Sequence, residues 1–584
     1  METTILYKVG QRAKRLFTAL PVYLFISGLV LASCSKMLET ESDLVEFEED
    51  HTLNHATDSV YSVMGIINKM QLIADRVVLL GEVRSDLVKT TPAANSDLKR
   101  LSNFDFSGNN RYNQISDYYA VINNCNYYLA HVDTAMQRRG RNLFLREYAV
   151  VKSYRAWTYL QLAQAYGAVP LILKPLMTEK EAREAMNQTP ADIQTICETF
   201  IDDLTPYVGV NLPDFGSVNG LESKWFFIPM RALLGDLCLW AGRYQEAARW
   251  YHDYLTDKYD PLQMSTLRIT WPNYSQFVTP IGSYSPTSAL GGSFGDLQCI
   301  IPMELKVFDG TISQLSNIFE STTENNYFYQ LTPSAGMANI SADQIYCFEV
   351  STPGATTKDT LYAPRTGFTR GEYVGDLRFS TNYHLTSYGA QDEYSEYNSS
   401  FQYIRKITSG WVPLYRTTMV YLRYAEALCR AGYPQSAFCI LKYGICDDIL
   451  KTRVDAAELE RAGDLVFFDP ELFKFENKYF GVHSIGSGDA HANKYYELPQ
   501  PTSALASRQD TINYQIPLLE DMIVTEMALE GAFEGYRFND LMRVALRRND
   551  PAYLADPVSR RNGEVDAALR EKLMDQRNWY LPLR

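Results

Sequence analysis

The chain has 584 residues, 46% of them hydrophobic, enough to bury a large core and too apolar for wholesale disorder. Its net charge of −14 argues against a nucleic-acid surface, whose affinity depends on cationic side chains meeting phosphates. The aromatic load is heavy, with 41 Tyr, 27 Phe and 7 Trp, and a surplus of tyrosine suits a surface that grips ligands by stacking.

At the amino terminus, Lys8, Arg12, Lys14 and Arg15 precede an apolar run from Leu16 to Val30, interrupted by Pro21. Small residues Ala32 and Ser33 then lead to Cys34, which is the layout of a secretory signal. The tetrapeptide Leu31-Ala32-Ser33-Cys34 resembles the bacterial lipobox, in which cleavage leaves the cysteine as an acylated amino terminus. The run is shorter than the roughly 20 residues that span a bilayer comfortably, which weighs against a retained signal anchor. The expectation is therefore a signal peptide over 1–33, a lipidated acidic tether over 34–58 and a soluble body from 59 to 584. Acyl chains on Cys34 would hold that body to a bilayer, at about 0.8 kcal/mol per buried methylene. His51 and His55 lie in the tether and read as solvated rather than metal-binding.

Helical periodicity dominates from there to about residue 260. Over 112–131, Ile115, Tyr119, Ile122 and Asn126 recur at i, i+4, i+7 and i+11, one face of a helix. The segment 144–166 behaves likewise and is stopped by Gly167 and Pro170. Two later segments resemble each other: LGDLCLWAGRYQEAARWY at 234–251 and YAEALCRAGYPQSAFCIL at 424–441. Gly235, Gly242 and Ala247 of the first recur 190 residues on as Ala425, Gly432 and Ala437. Small residues around a turn glycine, with Tyr244 and Tyr251 at aromatic positions, match the tetratricopeptide pattern, in which helix pairs pack closely and stack. Helical hairpins are thus expected near 144–175, 225–256 and 415–446. Between about 260 and 410 the texture turns to Gly, Pro, Ser, Asn and Tyr, as in 271–296 and 324–336, and reads as long ordered loops. Loops of that length on a rigid scaffold are where function usually resides. A second irregular region spans 465–515, and one strong final helix is expected over 519–548.

The eight cysteines besides Cys34 contain no Cys-x-x-Cys pair, which excludes zinc ribbons and thioredoxin-type motifs. An even number permits disulfides, but Cys238 and Cys429 fall in apolar helical patterns, where buried free thiols are the better reading. No His-Glu-x-x-His, Gly-x-Ser-x-Gly or phosphate-cradling Gly-Lys-Ser motif occurs. His483 to His491 brings Ser, His and Asp together only as a polar Gly-Ser loop, since triads are assembled from separate elements. Glu526, Glu530 and Glu534 are four apart on one helical stripe, with Arg537, Asp540 and Arg543 beyond. That spacing suits ion pairs, whereas glycoside hydrolysis needs two carboxyls facing each other across a cleft. No catalytic residue, metal site or cofactor is expected.

Taken in order, these residues resemble the SusD/RagB family of outer-membrane nutrient-binding lipoproteins. After the lipobox come Gly81-Glu82-Val83-Arg84-Ser85-Asp86, then the helix carrying Tyr119, Ile122 and Asn126, then Tyr166-Gly167-Ala168-Val169-Pro170-Leu171-Ile172. Further on stand Gly375-Asp376-Leu377-Arg378, Arg405-Lys406, Pro413-Leu414-Tyr415-Arg416 and Tyr424-Ala425-Glu426-Ala427, and finally Glu534, Gly535, Arg537, Asp540, Leu541 and Arg543. Met527, Leu529 and Gly531 depart from the family's final box, and Ile115 stands where a Trp is common; both departures fall at scaffold positions.

The resemblance implies a mainly α-helical fold, a tetratricopeptide-like hairpin scaffold carrying long irregular loops with minor β structure. It implies a lipid-anchored place on the outer face of a Gram-negative outer membrane. There it would partner a SusC-like TonB-dependent transporter and hand over a captured oligosaccharide, or a peptide as in some relatives. Sugar capture needs flat aromatic faces and polar groups for hydroxyls. The expected stacking residues are Trp271, Tyr274, Tyr284, Tyr327 and Tyr329, and the expected polar contacts are Asp86, Asn109, Arg111 and Asn326.

Overall fold

A helix buried on every side organises the molecule. In Leu145–Tyr166, every residue from Ala149 to Tyr166 except Gln161 is buried, as suits a core helix rather than an amphipathic surface one. Ala56–Glu82, Ile115–His131, Ile193–Leu204 and Met230–Trp240 pack around it. Its polar groups are paired within the core: Arg155 donates to Asn126 at 3.0 Å and to Asp203 at 2.9 Å, and Tyr159 donates its hydroxyl to the Ile172 carbonyl at 2.8 Å. The computed structural model describes residues 56–264, 269, 296–303, 312–319, 330–351, 358–362, 375–386, 401–404, 406, 410–473, 480–488 and 496–583. Cys34, the signal segment and the tether up to residue 55 lie outside these residues, as do 271–295 and 324–329, while residues 56–58, expected to be tether, begin the helix Ala56–Glu82. The fold is mainly helical, and among the described residues its strands form two-stranded antiparallel ladders, with isolated bridges joining Val169 to Ala191 and Cys347 to Gly488. No helix among the described residues is long and apolar enough to cross a membrane.

The two repeat-like segments form helix pairs. Met230–Trp240 packs on Tyr244–Leu255, Thr417–Arg430 packs on Pro434–Lys442, and Tyr244–Leu255 packs on Thr417–Arg430, so the pairs stack. Each pair turns at a glycine in the left-handed region, Gly242 at φ 75° and Gly432 at φ 92°, where other residues are strained. Gly235 is where the first pair touches most closely: a Cβ there would overlap the ring of the fully buried Tyr251. The expected hairpin near 144–175 takes another form. The chain leaves the helix at Gly167 and runs irregularly past Pro170, and the packing partners are Ile115–His131 and Ile193–Leu204.

The expected single helix over 519–548 is two helices, Arg508–Glu530 and Arg537–Arg548. The break lies at Gly531–Tyr536, where Phe533 has φ 71° and Gly535 φ 94°. Gly535 lies against the backbone of Val77 and Val78, too close for any side chain. The break moves Glu534 off the helical stripe that the spacing suggested.

Glu534 instead joins a buried ionic core. Arg416 donates to both Glu534 oxygens at 2.7 and 2.9 Å, to Glu530 at 2.9 Å and to Asp296. Arg378 donates to Asp376 at 2.7 Å, Glu526 at 2.6 Å and Glu530 at 3.1 Å. Lys406 pairs with Glu534 and donates to the Glu530 carbonyl at 2.5 Å, and His483 Nδ1 lies 2.8 Å from Glu526. The Glu stripe is thus scaffold, and its partners come from distant segments rather than from its own helix. His483 is buried in this network and is not part of an exposed triad. A second core, around Phe538, Leu541, Leu554, Leu573 and Trp579, is hydrophobic. The eight cysteines from Cys125 to Cys446 are buried free thiols, and burial pushes Cys125 up to about 12.

Candidate ligand-binding surface

The segment after the first long helix divides into a buried half and an exposed half. Glu82, Arg84, Ser85 and Asp86 are all buried. Arg84 donates to the carbonyls of Leu80 and Trp579, both at 2.7 Å, and lies over the Phe538 ring. The Asp86 carboxylate is gripped at both oxygens by Arg537, at 2.7 and 2.8 Å. Asp86 is only 2% exposed, so the expectation of a ligand contact there is corrected: this carboxylate joins the first helix to the Arg537–Arg548 helix. The resemblance pointed to the segment, and only burial distinguishes its structural acid from an exposed one.

Beyond Asp86 the chain enters the strand Val88–Thr90, paired antiparallel with Leu331–Pro333, and then the short helix Ser96–Ser102. Asn95 caps that helix by accepting from the Leu98 amide at 2.9 Å. The same side chain donates to Tyr112 Oη at 3.1 Å and to Gln330 Oε1 at 2.9 Å, while the Asn95 amide donates to Gln330 Oε1 at 2.9 Å. Gln330 directly follows Asn326, Tyr327 and Tyr329, which lie outside the described residues. Asn95 therefore joins two of the regions from which ligand contacts were expected. Trp271, Tyr274 and Tyr284 also lie outside the described residues.

The loop over 103–114 is the exposed half. Asp105 accepts from the Ser107 hydroxyl at 2.6 Å and its amide at 3.1 Å, which holds the carboxyl down to about 2. Arg100 donates to Asp105 at 3.1 Å and to the Asn109 carbonyl at 3.0 Å, closing the loop. Asn110 turns inward, donating to the Asp97 carbonyl at 2.9 Å, whereas Asn109 and Arg111 are exposed. Arg111 is oriented by Asp97, which accepts from Nε at 2.9 Å, and its side chain is 65% exposed. The two terminal guanidinium nitrogens and the Asn109 amide have no partner among the described residues. An amide and a fixed guanidinium fork on one ordered loop can bind hydroxyls, carbonyls or carboxylates.

Two hollows that sequence reasoning did not anticipate have different chemistry. A cavity of about 50 Å³ is lined by Trp157, Gln161, Trp240, Tyr415, Tyr536 and Asn539. Asp236 on its wall is fully engaged, accepting from Tyr251 at 2.7 Å, Tyr415 at 2.7 Å and Arg423 at 3.0 Å, whereas Asn539 Oδ1 and Asp540 Oδ2 are buried without a hydrogen-bond partner among the described residues. It suits a few waters, since about 10–15 Å³ of such space holds one, and not a sugar ring. A larger hollow of about 280 Å³ lies against Ile115–His131 and Glu179–Met186 and is lined by Ile115, Ile122, Ile172, Leu176 and Met186. Tyr119, Asn123 and Asn126 on its wall are turned to the backbone of 170–176, so little polarity faces it. The smaller hollow has unpartnered oxygens but no room for a sugar ring, and the larger has room but little polarity. Among the described residues no group of three or more His, Cys, Asp or Glu side chains is placed to hold a metal ion.

Residues 369–582 match the SusD family model. The fold is similar to that of a SusD superfamily protein from Bacteroides thetaiotaomicron VPI-5482, with 15% identity, a TM-score of 0.51 and coverage of 91% of this chain and 95% of that one. It is similar also to a SusD superfamily protein from Bacteroides vulgatus ATCC 8482, with 13% identity, a TM-score of 0.52 and coverage of 91% and 96%. A third similar structure, a SusD-like carbohydrate binding protein from Bacteroides vulgatus ATCC 8482, has 14% identity, a TM-score of 0.51 and coverage of 84% of each chain. No curated protein matches the sequence. At these identities the structural likeness establishes the fold, which is SusD-like along nearly the whole chain.

Proposed function

We propose that this chain, SusD-like in fold and matched to the SusD family over 369–582, is a cell-surface lipoprotein that captures oligosaccharides. Acylated at Cys34 and held at the outer membrane, it delivers its cargo to a SusC-like TonB-dependent transporter. The observation that carries the reading is the likeness of fold over 91% of the chain, joined to a family match in its carboxyl-terminal part. The exposed loop supports it: Asn109 and Arg111 supply hydroxyl-binding groups, and Asn326, Tyr327 and Tyr329 are assigned to the same ligand. Trp271, Tyr274 and Tyr284 complete the set of rings assigned to stacking. The role is binding and transfer, without turnover of the bound oligomer.

Calorimetric titration with a panel of oligosaccharides and of peptides tests the reading. Heat with glycans, reduced by Arg111→Ala and Asn109→Ala, is the expected result. Heat with peptides alone would move the assignment to a peptide-import lipoprotein, and release of shortened products would make the protein an enzyme.

A further inference from the structure

Gln137–Arg138 and Arg141–Asn142 form a two-stranded hairpin between the helices Ile115–His131 and Leu145–Tyr166. Its turn is Arg139-Gly140, with φ of 53° and 75°. Positive φ at both central positions is the geometry that favours Asn-Gly, because Asn tolerates the left-handed region and a long side chain does so poorly. Here an arginine occupies it. Arg138 and Arg141 face each other across the ladder, and like charges directly opposite destabilise a hairpin. No acidic residue occurs from Thr134 to Arg146. Of the flanking acids, Asp133 accepts from the Ala135 amide at 2.8 Å, and Glu147 is partly buried with its Oε2 shielded from solvent, and neither forms an ion pair with the hairpin. Arg138, Arg139 and Arg141 are exposed and have no partner among the described residues. By contrast, Arg84, Arg416 and Arg543 are held by hydrogen bonds within the core.

Two locally unfavourable choices in one solvent-facing hairpin, in a chain of net charge −14, point to selection by something outside the fold. The tip lines neither hollow, so it suits a surface and not a small enclosed anion. Arginine also matches phosphate oxygens with a planar fork that lysine lacks. We propose that the Arg138–Arg141 hairpin is a docking point for the phosphate headgroups of an anionic bilayer, orienting the body on the membrane to which it is tethered. This rests on the tethered reading only for the presence of a bilayer nearby; neither Cys34 acylation nor glycan binding enters the test.

Purified full-length chain is floated with vesicles of phosphatidylcholine alone and of phosphatidylcholine with phosphatidylglycerol. The amino-terminal segment is common to every variant, so the ratio of the two partition coefficients reads the hairpin. Arg138→Ser/Arg141→Ser is expected to lower that ratio about tenfold or more, and raised salt to lower it for the wild type. Arg249→Ser/Arg560→Ser removes two other exposed arginines and is expected to leave it unchanged. Equal losses in both doubles, or none in either, would overturn the proposal. Binding to polyglutamate without preference for phosphatidylglycerol would also overturn it, assigning the hairpin to an acidic protein partner. Arg139→Asn adds a control on folding, since it is expected to raise the melting temperature while weakening vesicle binding.

Discussion

Replacing Arg416 by methionine tests the ionic core most directly. The guanidinium is fully buried and donates to Asp296, Glu530 and Glu534 together, and also to the Glu530 carbonyl at 3.1 Å. Methionine fills much of the volume but leaves Glu530 with Arg378, Glu534 with Lys406, and Asp296 with the Thr418 amide and hydroxyl. Removing one partner of a buried ion pair costs about 3–5 kcal/mol, because the abandoned charge stays desolvated. At about 2 cal/mol/K of unfolding entropy per residue, a cooperative unit of roughly 530 residues would lose about 3–5 °C in Tm. Scanning calorimetry at pH 7 reads this directly. Adding Glu534→Gln removes one stranded charge and is expected to recover about 1–2 kcal/mol, which a double-mutant cycle isolates. Arg416→Lys, keeping the charge but losing the fork, should fall between the two. An Arg416→Met variant as stable as the wild type would refute the reasoning, since the network would then contribute no net stability.

Glu82 offers a pH test. Burial raises its carboxyl from 4.5 to about 8, opposed by the Gly535 amide and by Lys406. Near pH 4.5 and below, both folded and unfolded chains hold the proton; as pH rises, the unfolded chain ionises first, so stability falls until about pH 8. Glu82→Gln is expected to remove that fall, matching the wild type near pH 4 and exceeding it above pH 8 by a few kcal/mol in denaturant titrations. Gly235→Ala forces a methyl into the Tyr251 ring and is expected to cost about 1–3 kcal/mol, or more if the helix pair separates; an unchanged midpoint would refute that close packing. With Cys34 replaced by serine, the folded chain should resist a disulfide-exchange thiol reagent at pH 8, the buried thiols reacting only after denaturation. Rapid labelling of several thiols in the native state would contradict their burial.

Local patterns in the chain determined which segments are helical and where they turn. The face carrying Ile115, Ile122 and Asn126, the stop at Gly167 and the turn glycines Gly242 and Gly432 are short-range consequences of periodicity and backbone freedom, so a linear reading finds them. The spacing of Glu526 and Glu530 likewise marked them as scaffold, and the resemblance located the loop that carries Asn109 and Arg111. Only the tertiary structure decided the rest. Whether Asp86 meets a ligand depended on Arg537, some 450 residues away, and burial of that pair is invisible to spacing. The last helix breaks at Gly531–Tyr536 because the backbone of Val77 and Val78 presses on Gly535, and the break carries Glu534 to Arg416. Charge patterns read along the chain predict partners one helical turn away. Asp540 and Arg543 do pair that way, but the partners of Glu526, Glu530 and Glu534 lie on different elements, because desolvated charges must be matched wherever the fold brings them together.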